Sequence, residues 1–129
     1  MRLFLTLPLL LGLLDCGRDE TLSGYGAADR EWHLAEISGQ PFDAEAILQF
    51  PEEGKITGSA PCNKFYGKQV QPYPWFQAEA IASTRRACPD LDAETAFFSA
   101  IAAMTLAEVV GDTLILSNTE GDEMMFEAR

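Results

Sequence analysis

Short alternations of apolar and polar residues run through most of this chain, and one longer segment breaks their rhythm. Trp32 and Leu34 alternate with His33 and Ala35, the period-two pattern of a half-buried strand. Residues 47–50 form a second apolar stretch. Pro51-Glu52-Glu53-Gly54 supplies turn residues, and residues 55–58 return as a strand, which predicts a hairpin. Residues 67–70 predict another strand. Pro72 and Pro74 remove two backbone donors, so the stretch to Phe76 is expected as an edge or loop. Residues 77–83 alternate weakly. Residues 89–104 differ: they contain no glycine and no internal proline, and they are rich in alanine. Leu91, Glu94, Phe97, Phe98, Ile101 and Met104 fall at helical spacing. Pro89 suits a first helical turn, and Asp90, Asp92 and Glu94 place negative charge where the helix dipole favours it. Strands resume at 106–110, 113–117 and 123–127, separated by Gly111-Asp112 and by residues 118–122. Strands, one helix and a closing meander predict an α+β fold, a compact antiparallel twisted sheet packed against one α-helix.

The N-terminal pattern is of another kind. After the single charge of Arg2, residues 3–14 are nearly all apolar. This run is too short to span a bilayer and fits the core of a signal peptide. Leu13-Leu14-Asp15-Cys16 resembles part of a bacterial lipobox, whose cysteine becomes the lipidated first residue; Asp15 stands where that pattern has a small residue. Cleavage after Ala28 is the alternative. The expected organisation is therefore a signal peptide at 1–15, a lipid-anchor cysteine and flexible tether at 16–29, and a domain at 30–129.

Composition adds limits. The chain has 129 residues, 47% of them hydrophobic, enough for one packed core. A net charge of −11 argues against nucleic-acid phosphates and against charge-driven adsorption to anionic lipid. Of three cysteines, Cys16 is assigned to the anchor, leaving Cys62 and Cys88 as an even pair. In an oxidising compartment they are read as a disulfide, the alternative being two buried free thiols. A bridge would contribute roughly 3–4 kcal/mol. His33 is the one histidine. A Cys–His catalytic pair or a zinc site has little support, because pairing consumes the thiols and no short ligand spacing exists. Asp112, Glu120, Asp122 and Glu123 sit around tip turns but lack the EF-hand loop pattern. No catalytic residue, metal or cofactor is expected. Asn63 is read as defining a turn by local backbone bonds, with a ligand contact as the alternative. Glu94 with Arg85 or Arg86 is a candidate ion pair at the helix start. Tyr73, Trp75 and Phe76, beside Tyr66, form an aromatic group that is either packing or a binding loop.

Several segments in order resemble the META domain, the HslJ-like family of small exported bacterial proteins. Trp32-His33-Leu34, Ile37-Ser38-Gly39, Phe50 and Ile56-Thr57-Gly58 are similar to its opening. Cys62-Asn63-Lys64-Phe65-Tyr66-Gly67 resembles its central signature, and Thr84-Arg85-Arg86-Ala87-Cys88, followed by Glu94 and Phe98, its second. Gly111-Asp112, Leu114, Leu116 and Phe126 resemble its closing strands. Pro61 and Arg86 depart from the pattern, standing where it has Gly and Met. The resemblance covers residues 31–126. It implies a partly open β-barrel with one packed helix, motif roles for Asn63, Phe65, Gly67, Thr84 and Glu94, and no established catalysis.

The expected function is therefore a non-enzymatic, lipid-anchored envelope protein facing the periplasm. It would be a monomer acting as a binding or assembly module in envelope stress tolerance. Its partner would be an envelope protein. The alternatives are a carrier of a small apolar or lipid ligand, or a secretion-accessory or inhibitor module. Contact with membrane is expected through the anchor alone, and none with nucleic acid.

Overall fold

Strand formation follows the alternation closely in the first half of the chain. The computed structural model describes residues 18–129, so Cys16 and the signal segment lie outside the described residues. Strand β1 (Trp32–Ile37) buries Trp32 and Leu34, and β2 (Gln40–Pro41) folds back on it. The expected hairpin is β3 (Ile47–Gln49) and β4 (Gly54–Ser59), paired antiparallel with Leu48 opposite Gly58. Then come β5 (Lys64–Gln69) and β6 (Glu79–Ser83). Helix α1 spans Leu91–Ala103. The meander β7 (Leu106–Val110), β8 (Thr113–Ser117) and β9 (Glu123–Ala128) completes the chain.

The strands form one curled antiparallel sheet in the order β6-β5-β4-β3-β1-β9-β8-β7, with β2 on β1, a half-barrel carrying one helix. The first and last long strands are neighbours: Leu34 pairs with Phe126. The β5–β6 connection then reaches the far edge. Trp75 bridges Leu106 on β7, the Phe76 amide donates to Thr105, and the Ala107 amide donates to the Pro74 carbonyl. The two ends of the sheet are thus spanned by backbone hydrogen bonds, which covers an edge that would otherwise stand open.

The concave side is filled. Trp32, Leu48, Ile56, Phe97, Leu114, Leu116, Met124 and Phe126 are inaccessible to solvent. Each contributes roughly 1.5–3 kcal/mol relative to exposure. Helix α1 faces this core with Phe97 and Ile101, and Phe97 and Phe98 both meet Phe65 with ring centroids 5.6 and 5.4 Å apart. Leu91, expected on the same stripe, is exposed.

Two expectations need correction. Strand β5 starts at Lys64, three residues before the predicted 67–70. Phe65, Gly67 and Gln69 face inward, and a polar residue at the last of these positions hides the alternation. The segment expected as a flexible tether is also largely packed onto the domain. A 3-10 turn at Leu22–Tyr25 buries Leu22 and Ser23, and Ala27 is wholly buried. The Trp32 indole donates to the Ala27 carbonyl at 3.0 Å, and the Tyr73 amide donates to the Glu20 carbonyl at 2.8 Å. Two apolar residues in a Gly-rich stretch suffice, because the core offers each a site to fill.

Candidate functional site

Two places gather the residues singled out above. One is the junction of β4, β5 and the start of α1. The turn between β4 and β5 closes with the Ala60 amide donating to the Asn63 carbonyl at 2.7 Å. Cys62 on this turn is bonded to Cys88, which lies 26 positions on and just before α1; their Cα atoms are 5.6 Å apart. The sulfurs bond each other, so neither is a thiol nucleophile in this state.

Asn63, beside the bridge, is buried, and it does not make the local turn bonds expected of it. Its Oδ1 accepts from the Arg86 amide at 2.6 Å and from Thr84 Oγ1 at 2.9 Å. Its Nδ2 donates to the Arg86 carbonyl at 3.0 Å and to Glu94 Oε2 at 2.7 Å. The side chain is saturated and has no capacity left for a ligand. Glu94 is buried too. Its other oxygen accepts from the Cys62 amide at 3.1 Å. The ion pair with Arg85 or Arg86 is absent. Both arginines are exposed, and neither has a carboxylate partner among the described residues. The partners of Glu94 are instead neutral hydrogen-bond donors, the Cys62 amide and the Asn63 side chain.

The close packing of this junction also explains Gly67. A Cβ there would come 2.5 Å from Ile81 Cδ1 and 2.7 Å from the Glu79 carbonyl oxygen. The crowding arises where the β5–β6 register shifts and Ala80 adopts a φ of 51°.

The second place is the β5–β6 connection. Gln69, almost wholly buried, holds it from inside. Its Oε1 accepts from the amides of Gln71 and Gln77 at 3.3 and 3.0 Å, and its Nε2 donates to the Gln71 carbonyl. Nothing in the sequence pattern singled Gln69 out; its inward register on β5 was the available signal. Tyr73 stacks on Tyr25 at 4.6 Å, and its hydroxyl accepts from the Val109 amide at 3.0 Å. The Tyr73–Pro74 peptide is cis. Phe76 is 2% exposed and belongs to the core, whereas Trp75 is 57% exposed. The expected three-residue aromatic loop thus presents one tryptophan, with Tyr73 and Phe76 as its supports. Tyr66 is exposed on β5.

His33 lies on β1, its Nε2 3.4 Å from Glu31 Oε2 and without hydrogen-bond geometry. Among the described residues no three His, Cys, Asp or Glu side chains converge as a metal site would require, and no helix is long and apolar enough to cross a membrane.

Comparison with known sequences and structures agrees with this architecture. A family model described as META domain matches residues 26–129. No curated protein matches the chain. A protein from Burkholderia xenovorans solved by NMR superposes with a TM-score of 0.64 at 17% identity, over 83% of this chain and 86% of that one. A DUF4847 family protein from Bacteroides vulgatus ATCC 8482, solved by crystallography, gives 0.64 at 14% identity, over 80% and 94%. A further NMR structure gives 0.59 at 22% identity, over 76% and 87%. At these identities the likeness is one of fold.

Proposed function

The chain belongs to the META-domain family, and from that premise we propose that it is a non-enzymatic, lipid-anchored envelope protein whose Trp75 loop is a binding or assembly surface for another envelope protein. The observation that carries this reading is the state of Trp75. It is exposed, yet the backbone on both sides of it is tied to β7, to Gln69 and to the N-terminal segment. A large side chain on a backbone that is already held loses less entropy on docking, and tryptophan is enriched among the residues that carry interface affinity.

The remaining features support the setting. The apolar run before Cys16 supports export, and a Cys62–Cys88 bridge supports an oxidising compartment. With Cys16 as the anchor, Glu20 is four Cα–Cα steps from the lipidated residue, about 14 Å at full extension. The packed N-terminal segment then holds the domain close to the membrane. A role in envelope stress tolerance follows from the family resemblance alone. The carrier alternative draws no support from the interior, which aromatic and aliphatic side chains fill.

The test is affinity capture from detergent-solubilised envelopes, comparing wild type with Trp75→Ala. A partner recovered by the wild type and lost by the variant supports the reading. Recovery of the same proteins by both sinks the loop as the binding surface. Metabolic labelling with a lipid precursor checks the anchor, and an unlabelled mature chain starting beyond Cys16 removes it.

A further inference from the structure

The chain carries nine lysines and arginines against twenty acidic residues, yet Lys64, Arg85 and Arg86 fall close together. They surround the junction of the disulfide, Asn63 and Thr84. A hollow of about 440 Å³ opens there, lined by Ser59, Lys64, Thr84 and Arg86 around the Cys62–Asn63 turn, and no carboxylate lines it. Arg85 faces an adjoining hollow that shares Asn63, Thr84 and Arg86. None of the three cations has an ion-pair partner among the described residues.

The backbone under these cations is unusually well held. Asn63 bonds both main-chain groups of Arg86, its amide and its carbonyl. Lys64 and Thr84 are joined twice: the Thr84 amide donates to the Lys64 carbonyl at 3.1 Å, and the Lys64 amide donates to Thr84 Oγ1 at 3.3 Å. The disulfide fixes the third side. Ordinary surface cations sit on independent side chains over mobile ground. Here the roots of Lys64 and Arg86 are set relative to each other by hydrogen bonds across β5 and the segment that follows β6. Glu94, buried, lines the adjoining hollow but not the first, and already accepts from Cys62 and Asn63. Asp90 and Asp92 are exposed on the helix start and line neither hollow.

We propose that this hollow is a binding site for an oxyanion, a phosphate or carboxylate group borne by a small ligand, held between Lys64 and Arg86. A guanidinium offers paired donors that match either group, and an ammonium adds a point charge. The net charge of −11 repels anions at long range, but a screening length of about 10 Å at 0.1 M salt confines that penalty. A compact oxyanion therefore fits this site, and a polyanion such as nucleic acid does not.

Titration of the oxidised protein with inorganic phosphate, and separately with acetate, followed by ¹H–¹⁵N correlation spectra, tests the assignment. Sodium chloride at matched ionic strength is the reference. Saturable shifts are expected at the amides of Ser59, Lys64, Thr84 and Arg86. Lys64→Ala and Arg86→Ala should each weaken binding about tenfold. Lys68→Ala, on the same strand but outside the hollow, should leave it unchanged. Saturation by phosphate alone identifies a phosphoryl ligand, and saturation by acetate alone a carboxylate; either supports the site. Shifts that track ionic strength equally in all three salts overturn it, as does saturation that both alanine variants leave intact.

Discussion

Asn63 shows how much one side chain can organise when its partners are distant. Its four side-chain hydrogen bonds go to Thr84, Arg86 and Glu94, none nearer than 21 positions along the chain. Truncation strands several buried groups at once, so Asn63→Ala should lower the unfolding free energy by about 2–4 kcal/mol in urea titrations. A loss below about 1 kcal/mol would mean water replaces the amide. Asp19 acts on the N-terminal segment. Burial is the largest single influence and pushes its carboxyl pKa up. The hydrogen bonds from Ser23, from the Thr21 hydroxyl and from the Thr21 amide together outweigh it, so the net direction is down. A carboxylate with a lowered folded pKa contributes stability above its unfolded value, and loses it as pH falls through the folded one. The segment should therefore loosen below about pH 4, read from Tyr25 ring shifts set by its stacking on Tyr73. Asp19→Asn should abolish that dependence, and wild-type shifts that stay flat down to pH 2 would contradict it. Both residues carry ordinary turn chemistry in the sequence, which marks them as polar but shows neither the burial of Asn63 nor the half-burial of Asp19.

Among the elements, β5 and α1 gain most from the bridge. Cys62 lies in the turn into β5 and Cys88 precedes α1, so the covalent link ties the helix entry to the sheet. For a separation of 26 positions, chain entropy puts the contribution at about 3.5 kcal/mol. The double variant Cys62→Ser, Cys88→Ser should lose that amount in equilibrium denaturation. Unchanged stability would show that the Asn63–Glu94 hydrogen bonds hold the junction alone. Period and punctuation made the β3–β4 hairpin, the helix and the closing meander legible. The short β2 and the true start of β5 were not legible. Two residues carry no period, and a buried Gln69 reads as a surface position.

At the scale of the whole molecule, closure depends on a loop that alternation alone describes as an edge. Residues 73–76 carry hydrogen bonds from one end of the sheet to the other, and Phe76 fills the core beneath them. Phe76→Ala should cost about 3–5 kcal/mol. Trp75→Ala, removing a largely exposed side chain, should cost less than about 1 kcal/mol. Thermal unfolding of the two variants checks the contrast, and equal losses would show that Trp75 is structural and not a presented surface. The local pattern by itself indicated an antiparallel sheet with one helix and marked most of the residues worth watching, because periodicity and residue type report on near neighbours. Tertiary structure alone decided that Glu94 accepts hydrogen bonds from two amides instead of pairing with an arginine, that the N-terminal segment packs, and that Lys64 and Arg86 share a hollow. Those outcomes depend on which distant groups compete for the same buried donors and spaces, and separation along the chain carries no record of that competition.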